Sequence, residues 1–314
     1  MAFYKETIRI GSRGSKLALR QTEWVKERLS RLFPSLSFEI VVIKTRGDKV
    51  TDVPLAHIGG KGLFVKEIEE ALLRGEIDMA VHSMKDVPTE LPQGLRIAAV
   101  PEREDPRDVL ISRNGLSFDR LADGARIGTS SLRRKAQLLH LNPRWRVEPL
   151  RGNLDTRIRK LHTEGLDAIL VAAAGIRRMG LEERVTEYIS PDLILPAVGQ
   201  GALGIEVRED AGMDELLLPL NHPPTAVAVE AERAFLRHLG GGCQVPIAAH
   251  GEWTNGKVRL KGLISSPDGE RSFWGVQEGE DPEGVGRKLA QRLLREGGER
   301  ILKEIYGSYK EEGG

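Results

Sequence analysis

Cys243 is the single cysteine of this 314-residue chain and lies in the run Gly240-Gly241-Gly242-Cys243-Gln244-Val245-Pro246. One cysteine cannot form an internal disulfide. Three glycines ahead of it leave the backbone bare and free to curve, so the sulfur can be presented from an open loop. A lone cysteine is equally at home as a small buried hydrophobe, and the residue alone does not choose between these readings.

Three basic clusters stand where an apolar run gives way to a helical pattern: Ser12-Arg13-Gly14-Ser15, Thr129-Ser130-Ser131-Leu132-Arg133-Arg134 and Arg151-Gly152-Asn153. Each joins hydroxyl or amide groups, the unpaired N–H groups of a helix start and a guanidinium, all of which attract anions. Any one of them is also an ordinary N-cap with a surface arginine. Three together, at the carboxyl ends of strands, describe a crevice for a polyanionic ligand, to which Arg157 and Arg178 can add. A fourth feature is Val81-His82-Ser83-Met84-Lys85-Asp86-Val87-Pro88. Asp86 could simply close a turn before proline. Among so many cations, its carboxylate could instead stabilise developing positive charge or shuttle a proton. His82 reads as a packed histidine, and no His, Cys or acidic residues have metal-ligand spacing, so no metal is expected.

These residues need strands and helices to hold them. Ile8–Gly11, Phe38–Ile43, Ile77–Val81 and Leu95–Val100 read as strands. A helix between the first two carries Leu17, Trp24, Val25, Leu29 and Leu32, and a second helix spans 63–74. The pattern restarts with strands at Asp108–Ile111, Arg126–Gly128, Arg146–Leu150 and Asp167–Ala173 and helices at about 129–140 and 153–162, and Leu203–Val207 adds one more strand. Such alternation predicts βαβ units and mostly parallel sheets, with hinges near 101–106 and 190–200. The last third differs: a helix from Ala226 to Leu239, three hairpin-like strands at Ile247–Trp253, Val258–Ser265 and Phe273–Gln277, and a final helix from Glu283 to Tyr306. The expected class is α/β, with two α/β domains and a small α+β domain. The expected boundaries are 1–100 with 200–219, 101–199 and 220–314.

Composition narrows the function. The chain is 40% hydrophobic and 30% charged, with a net charge of +1, which argues against a general nucleic-acid-binding surface. Locally the balance breaks. Residues 126–178 hold ten arginines and two lysines against Glu148, Asp155, Glu164 and Asp167. Arginine forks suit bidentate carboxylate or phosphate binding, although a solvated basic face would give the same count. No apolar run has bilayer-spanning length and no signal-peptide core is visible. With an unpaired thiol, the cytoplasm is the expected location.

The runs Gly59-Gly60-Lys61-Gly62-Leu63-Phe64, Val81–Pro88, Glu102–Asp108, Gly128–Arg134, Leu150–Asn153, Leu195–Gly201 and Gly241–Pro246, in this order over nearly the whole chain, resemble the porphobilinogen deaminase (hydroxymethylbilane synthase) family. The resemblance implies two periplasmic-binding-protein-like α/β domains around a cleft and a small α+β domain bearing the cysteine. It implies a transferase of tetrapyrrole biosynthesis that condenses four porphobilinogen molecules head to tail, loses ammonia each time and releases hydroxymethylbilane. It also implies a dipyrromethane cofactor held through a thioether by Cys243, with Asp86 as catalytic acid and base. By the same resemblance Lys85, Ser83, Thr129, Ser130, Ser131, Arg133, Arg134, Arg151 and Gly152 hold cofactor carboxylates. Arg13, Ser15, Arg157, Arg178, Phe64 and Gln200 then face substrate. Porphobilinogen is the expected partner, with no metal, nucleic acid or membrane, and the chain is expected to be a monomer. Residues 46–62 are expected to form a lid that excludes water. Two rivals remain on the residues alone. A two-lobed anion receptor leaves Asp86 and the Cys243 loop without roles, and a cysteine-nucleophile transferase lacks a local base for the sulfur.

Overall fold

The strand-to-helix junction at Ser12–Ser15 shows how the chain aims its polar groups. β1 (Thr7–Arg13) ends there and α1 (Lys16–Leu32) begins, with the Ser15 hydroxyl accepting from the Ala18 N–H at 3.2 Å. Val25 and Leu29, four residues apart, are fully buried on the face of α1 that packs on the sheet. Leu32, expected on that face, is half exposed in the last turn, and Trp24 lies at the edge with Arg28 stacked 4.2 Å over its ring. The computed structural model describes residues 6–45, 47, 65–242 and 245–311. Most of the expected lid at 46–62, Phe64 and Cys243 lie outside the described residues.

Lobe 1 is a five-stranded sheet in the order β2-β1-β3-β10-β4, where β2 is Ser37–Ile43, β3 Met79–Ser83, β4 Leu95–Ala99 and β10 Leu203–Arg208. Side chains alternate across it. Met79 and Val81 join Val25 and Leu29 under α1, while Ala80 packs with Ile68 and Leu72 of α2 (Lys66–Leu73) on the other face. Lobe 2 repeats the plan with strands in the order β7-β6-β8-β5-β9. Here β5 is Asp108–Ser112, β6 Arg126–Gly128, β7 Arg146–Glu148, β8 Ala168–Ala172 and β9 Glu187–Tyr188. Helices α3 (Leu132–Leu141), α4 (Leu154–Thr163) and α5 (Ala173–Arg178) follow β6, β7 and β8.

Neither sheet is mostly parallel, contrary to the expectation from alternation. β1 pairs in parallel with β2 and β3, and β6 with β7 and β8, but β10 runs antiparallel to β3 and β4, and β5 to β8 and β9. β5 and β10 follow the two crossings between lobes, so each enters its sheet from the opposite end. An apolar run carries no record of direction.

A short helix, α6 (Asp214–Leu217), still packs on the lobe 1 core through Leu216 and Leu217. The last third then begins with α7 (Pro223–His238), followed by an antiparallel sheet of β11 (Ile247–Thr254), β12 (Lys257–Ser265) and β13 (Ser272–Gly279). α7, α8 (Pro282–Leu293) and α9 (Glu299–Glu311) close over its apolar face, burying Phe235, Leu260, Leu289, Leu293 and Ile301. The single final helix expected from the pattern is thus two. Gly297 breaks it at φ +134°, and a side chain there would collide with the Phe273 ring.

Candidate functional site

A cavity of about 880 Å³ opens between the lobes, and all three basic clusters contribute to its wall. Arg13 comes from the end of β1 and Ser15 from the cap of α1, Ser130 from the loop after β6 and Arg134 from the first turn of α3, and the loop after β7 delivers Arg151, Gly152 and Asn153. Arg157 lines it from α4 and Arg178 from α5, with Ser83, Lys85 and Asp86 opposite. Among the described lining residues, nine are Lys or Arg and two are acidic, Asp86 and Asp155. The wall is built for anions.

Three of these cations, Arg134, Arg157 and Arg178, are held by main-chain oxygen or by a buried charge. Arg157 Nε donates to the Gly152 carbonyl at 2.8 Å, and Arg178 Nη2 to the Gly201 carbonyl at 2.7 Å. Burial, joined for Arg157 by the nearby Arg134 charge, draws both guanidiniums down to about 10. Burial likewise lowers Lys85, with Asp86 opposing and Arg134 adding. A carboxylate entering this cavity relieves that repulsion. Asp86 sits on a 3-10 turn (Met84–Asp86) directly after β3, with Oδ2 3.9 Å from Arg13 Nη1. Ser83, one turn earlier, exchanges hydrogen bonds with Gln21 at 2.9 and 3.1 Å.

Some expected site residues stand behind the wall. Arg133 is 5% exposed and does not line the cavity. Its Nη1 donates to Asp108 Oδ2 at 2.8 Å and to the Leu195 carbonyl at 2.7 Å. Arg134 reaches the other Asp108 oxygen at 2.7 Å while still lining the cavity. Gln200, 1% exposed, donates to Asp108 at 2.8 Å and to the Pro106 carbonyl at 2.7 Å. Thr129 is buried and accepts from the Ser131 N–H at 3.2 Å, Ser131 caps α3 by accepting from the Arg134 N–H, and Ser130 donates to the Leu150 carbonyl at 3.0 Å. These hydroxyls organise the loop, and Ser130 alone of the three lines the cavity.

Asp108 is the residue that sequence reading passed over. It looked like the start of an apolar strand, yet it is fully buried at the root of the cleft. Burial by itself would raise its carboxyl, but Arg133 and Arg134 outweigh that and hold it well below the usual carboxylate range. A charge opening a Val-Leu-Ile run was the available signal. Lys16, Lys44 and Lys160 were also missed, and nothing in their sequence surroundings marked them. Lys16 bridges the lobes, 3.0 Å from Asp155.

The two lobes are joined through Glu232 of α7, which is fully buried. Its oxygens accept from Arg103 at 2.6 and 3.1 Å, from the Gly199 N–H at 2.6 Å and from the Gly251 N–H at 2.7 Å. Both crossing segments and β11 therefore meet at one carboxylate. Burial pushes it up, but Arg103 and His250 hold it at about 2.

The chain resembles known proteins along most of its length. Residues 8–215 match the family model described as porphobilinogen deaminase, dipyromethane cofactor binding domain, and residues 226–295 match porphobilinogen deaminase, C-terminal domain. The chain is 55% identical over 302 residues to a porphobilinogen deaminase of Pelobacter propionicus, covering 95% of this chain and 97% of that one. It is 56% identical to that of Geobacter sulfurreducens, covering 95% of both chains. Among solved structures it is similar to the VFT2 domain of Bordetella pertussis BvgS, with a TM-score of 0.40 at 14% identity, covering 70% of this chain and 91% of that one.

Proposed function

The chain belongs to the porphobilinogen deaminase family, and on that premise we propose which of its residues carry the family's reaction. The enzyme is a hydroxymethylbilane synthase: it joins four porphobilinogen molecules head to tail, releases ammonia at each step and liberates hydroxymethylbilane. Dipyrromethane is its cofactor and, when bound, supplies the primer to which pyrrole units are added. The lining fits such a group, because cofactor and substrate each bring carboxylates and nine cations wait for them.

Arg134, Arg151 and Lys85, with Ser83 and Ser130, hold the carboxylates of the cofactor, which is anchored at Cys243. Arg13, Arg157 and Arg178, with Ser15, hold those of the incoming substrate. Charge-assisted bonds of this kind contribute about 1.5–3 kcal/mol each. Arg133 and Gln200 act from behind, through Asp108. Asp86 gives a proton to the departing amine, faces the cation left on the substrate, and takes up the proton released from the pyrrole α-carbon. The domains are 1–100 with 200–219, 101–199 and 220–314. The enzyme works as a cytoplasmic monomer without nucleic acid, and no helix among the described residues is long and apolar enough to cross a membrane.

The observation that carries this reading is the position of Asp86, one of two acids among the described residues of a cavity wall crowded with cations. The test is Asp86→Asn beside Asp86→Glu, with intact mass of each chain and of Cys243→Ser. Asparagine removes the titrating proton and should abolish nearly all turnover. Glutamate displaces the carboxylate, and a misplacement near 1 Å costs on the order of 100-fold. Both should keep the mass of the chain plus two linked pyrroles, which Cys243→Ser should lose. Near-normal product from Asp86→Asn would overturn the assignment.

A further inference from the structure

Helix α7 reaches the catalytic turn with a second side chain. Arg233, the residue after Glu232, donates from Nη1 to the Val87 carbonyl at 3.1 Å and from Nη2 to the carbonyls of Pro88 at 2.6 Å and Thr89 at 3.4 Å. Nη1 also lies 3.8 Å from Met84 Sδ. The three acceptors follow Asp86 by one, two and three residues. Burial draws the guanidinium down to about 10, and among the described residues no carboxylate pairs with it within 4.0 Å. A half-buried arginine ordinarily meets an anion, so spending its fork on the carbonyls of one short turn is an unusual use of charge.

The turn needs that support. The 3-10 segment Met84–Asp86 is one turn long, Pro88 has no N–H to return a hydrogen bond, and the carbonyls beyond Asp86 are left as orphan acceptors. On its other side the turn rests on Gly199, where a Cβ would press on Met84 and on the Lys85 backbone. Gly199 is itself tied to Glu232 by its N–H. Two neighbouring side chains of α7 thus hold the two sides of the Asp86 turn, and the same helix runs on into Gly240–Gly242 ahead of Cys243.

We propose that Arg233 is a positioning residue for Asp86, fixing the turn through its three carbonyls so that helix α7 sets the catalytic carboxylate relative to the loop that bears the cofactor. This rests on the assignment of Asp86 above. Arg233 itself is not among the described residues that line the cavity.

The test uses holoenzyme carrying Arg233→Met, Arg233→Lys, Asp86→Glu and Asp86→Glu with Arg233→Met. Arg233→Met should lower kcat on the order of 10- to 100-fold, the penalty for a displaced catalytic group, with cofactor mass and circular dichroism unchanged. KM for porphobilinogen should stay within about twofold, since no substrate contact is lost. Lysine, a compact ammonium that cannot span three carbonyls, should restore part of the rate. In the Asp86→Glu background, where the carboxylate is already displaced, the further loss should shrink well below the single-variant value. A normal kcat, a fully additive loss, or a loss that only tracks missing folded holoenzyme would overturn the proposal. If Arg233→Met does not fold, Arg233→Lys takes its place, and an unchanged kcat there counts against it equally. An inactive Asp86→Asn beside a fully active Arg233→Met would sink this inference alone, whereas an active Asp86→Asn would remove its premise.

Discussion

The arginines of the cleft divide by what their guanidiniums meet. Arg133 spends its fork on Asp108 and Leu195, whereas Arg151 lines the cavity without a carboxylate partner among the described residues. Arg133→Leu should therefore act on the fold. Breaking a buried pair costs on the order of 3–5 kcal/mol, read as a lower urea midpoint even without ligand. Arg151→Leu should leave the midpoint within about 0.5 kcal/mol and fail instead in ligand capture, seen as poor assembly of holoenzyme or a raised KM. Equal loss of stability in both would contradict the division. In sequence the two look alike, each a basic residue at a helix start. What separates them is Asp108, 25 residues before Arg133, and only folding brings that carboxylate beneath β6. Asp86 was easier to read because its turn follows its own strand directly.

Among the elements, the crossing segment that ends at Gly201 carries the closest tolerances. Gly201 has φ +88°, its carbonyl accepts from Arg178 and from the Glu104 N–H, and a Cβ would collide with the Glu104 carbonyl. Gly201→Ala should force the two crossings apart at a cost of about 1–3 kcal/mol, with a lower melting temperature and a rise in KM as Arg178 loses its anchor. Unchanged melting and KM would show that the segment yields. Strand and helix positions were largely legible, since period-2 and period-3.6 runs report burial directly. Their directions and breaks were not. The antiparallel entry of β5 and β10 follows from the route of the chain, and the break at Gly297 follows from a ring, Phe273, in another element.

The molecule as a whole should become less stable as pH rises toward neutrality. Glu69, buried beneath lobe 1, has its carboxyl pushed from 4.5 up to about 7 by burial and by Glu206, with His82 opposing. The folded chain thus holds a proton that the unfolded chain has released. That contribution is complete below pH 4.5 and is lost as pH rises through 7. His250 acts in the same direction from 6.5 upward: burial would lower it, but Glu232 and Glu252 raise it. Melting temperature followed across this range should fall in the parent, and Glu69→Gln should flatten the fall. Parallel profiles would refute the role of Glu69. The order of strands also bears on how the chain is made. Lobe 2 draws all its strands from residues 108–188, whereas lobe 1 receives β10, the strand between β3 and β4, only at residues 203–208. As the chain leaves the ribosome, the second lobe can close first, and the first waits with β3 and β4 unjoined and their edges open. A nascent chain arrested so that residues up to about 200 have emerged from the ribosome should accordingly protect lobe 2 from protease and leave lobe 1 open to cleavage, so that of the two lobes the one bearing Asp86 is synthesised first and closes second.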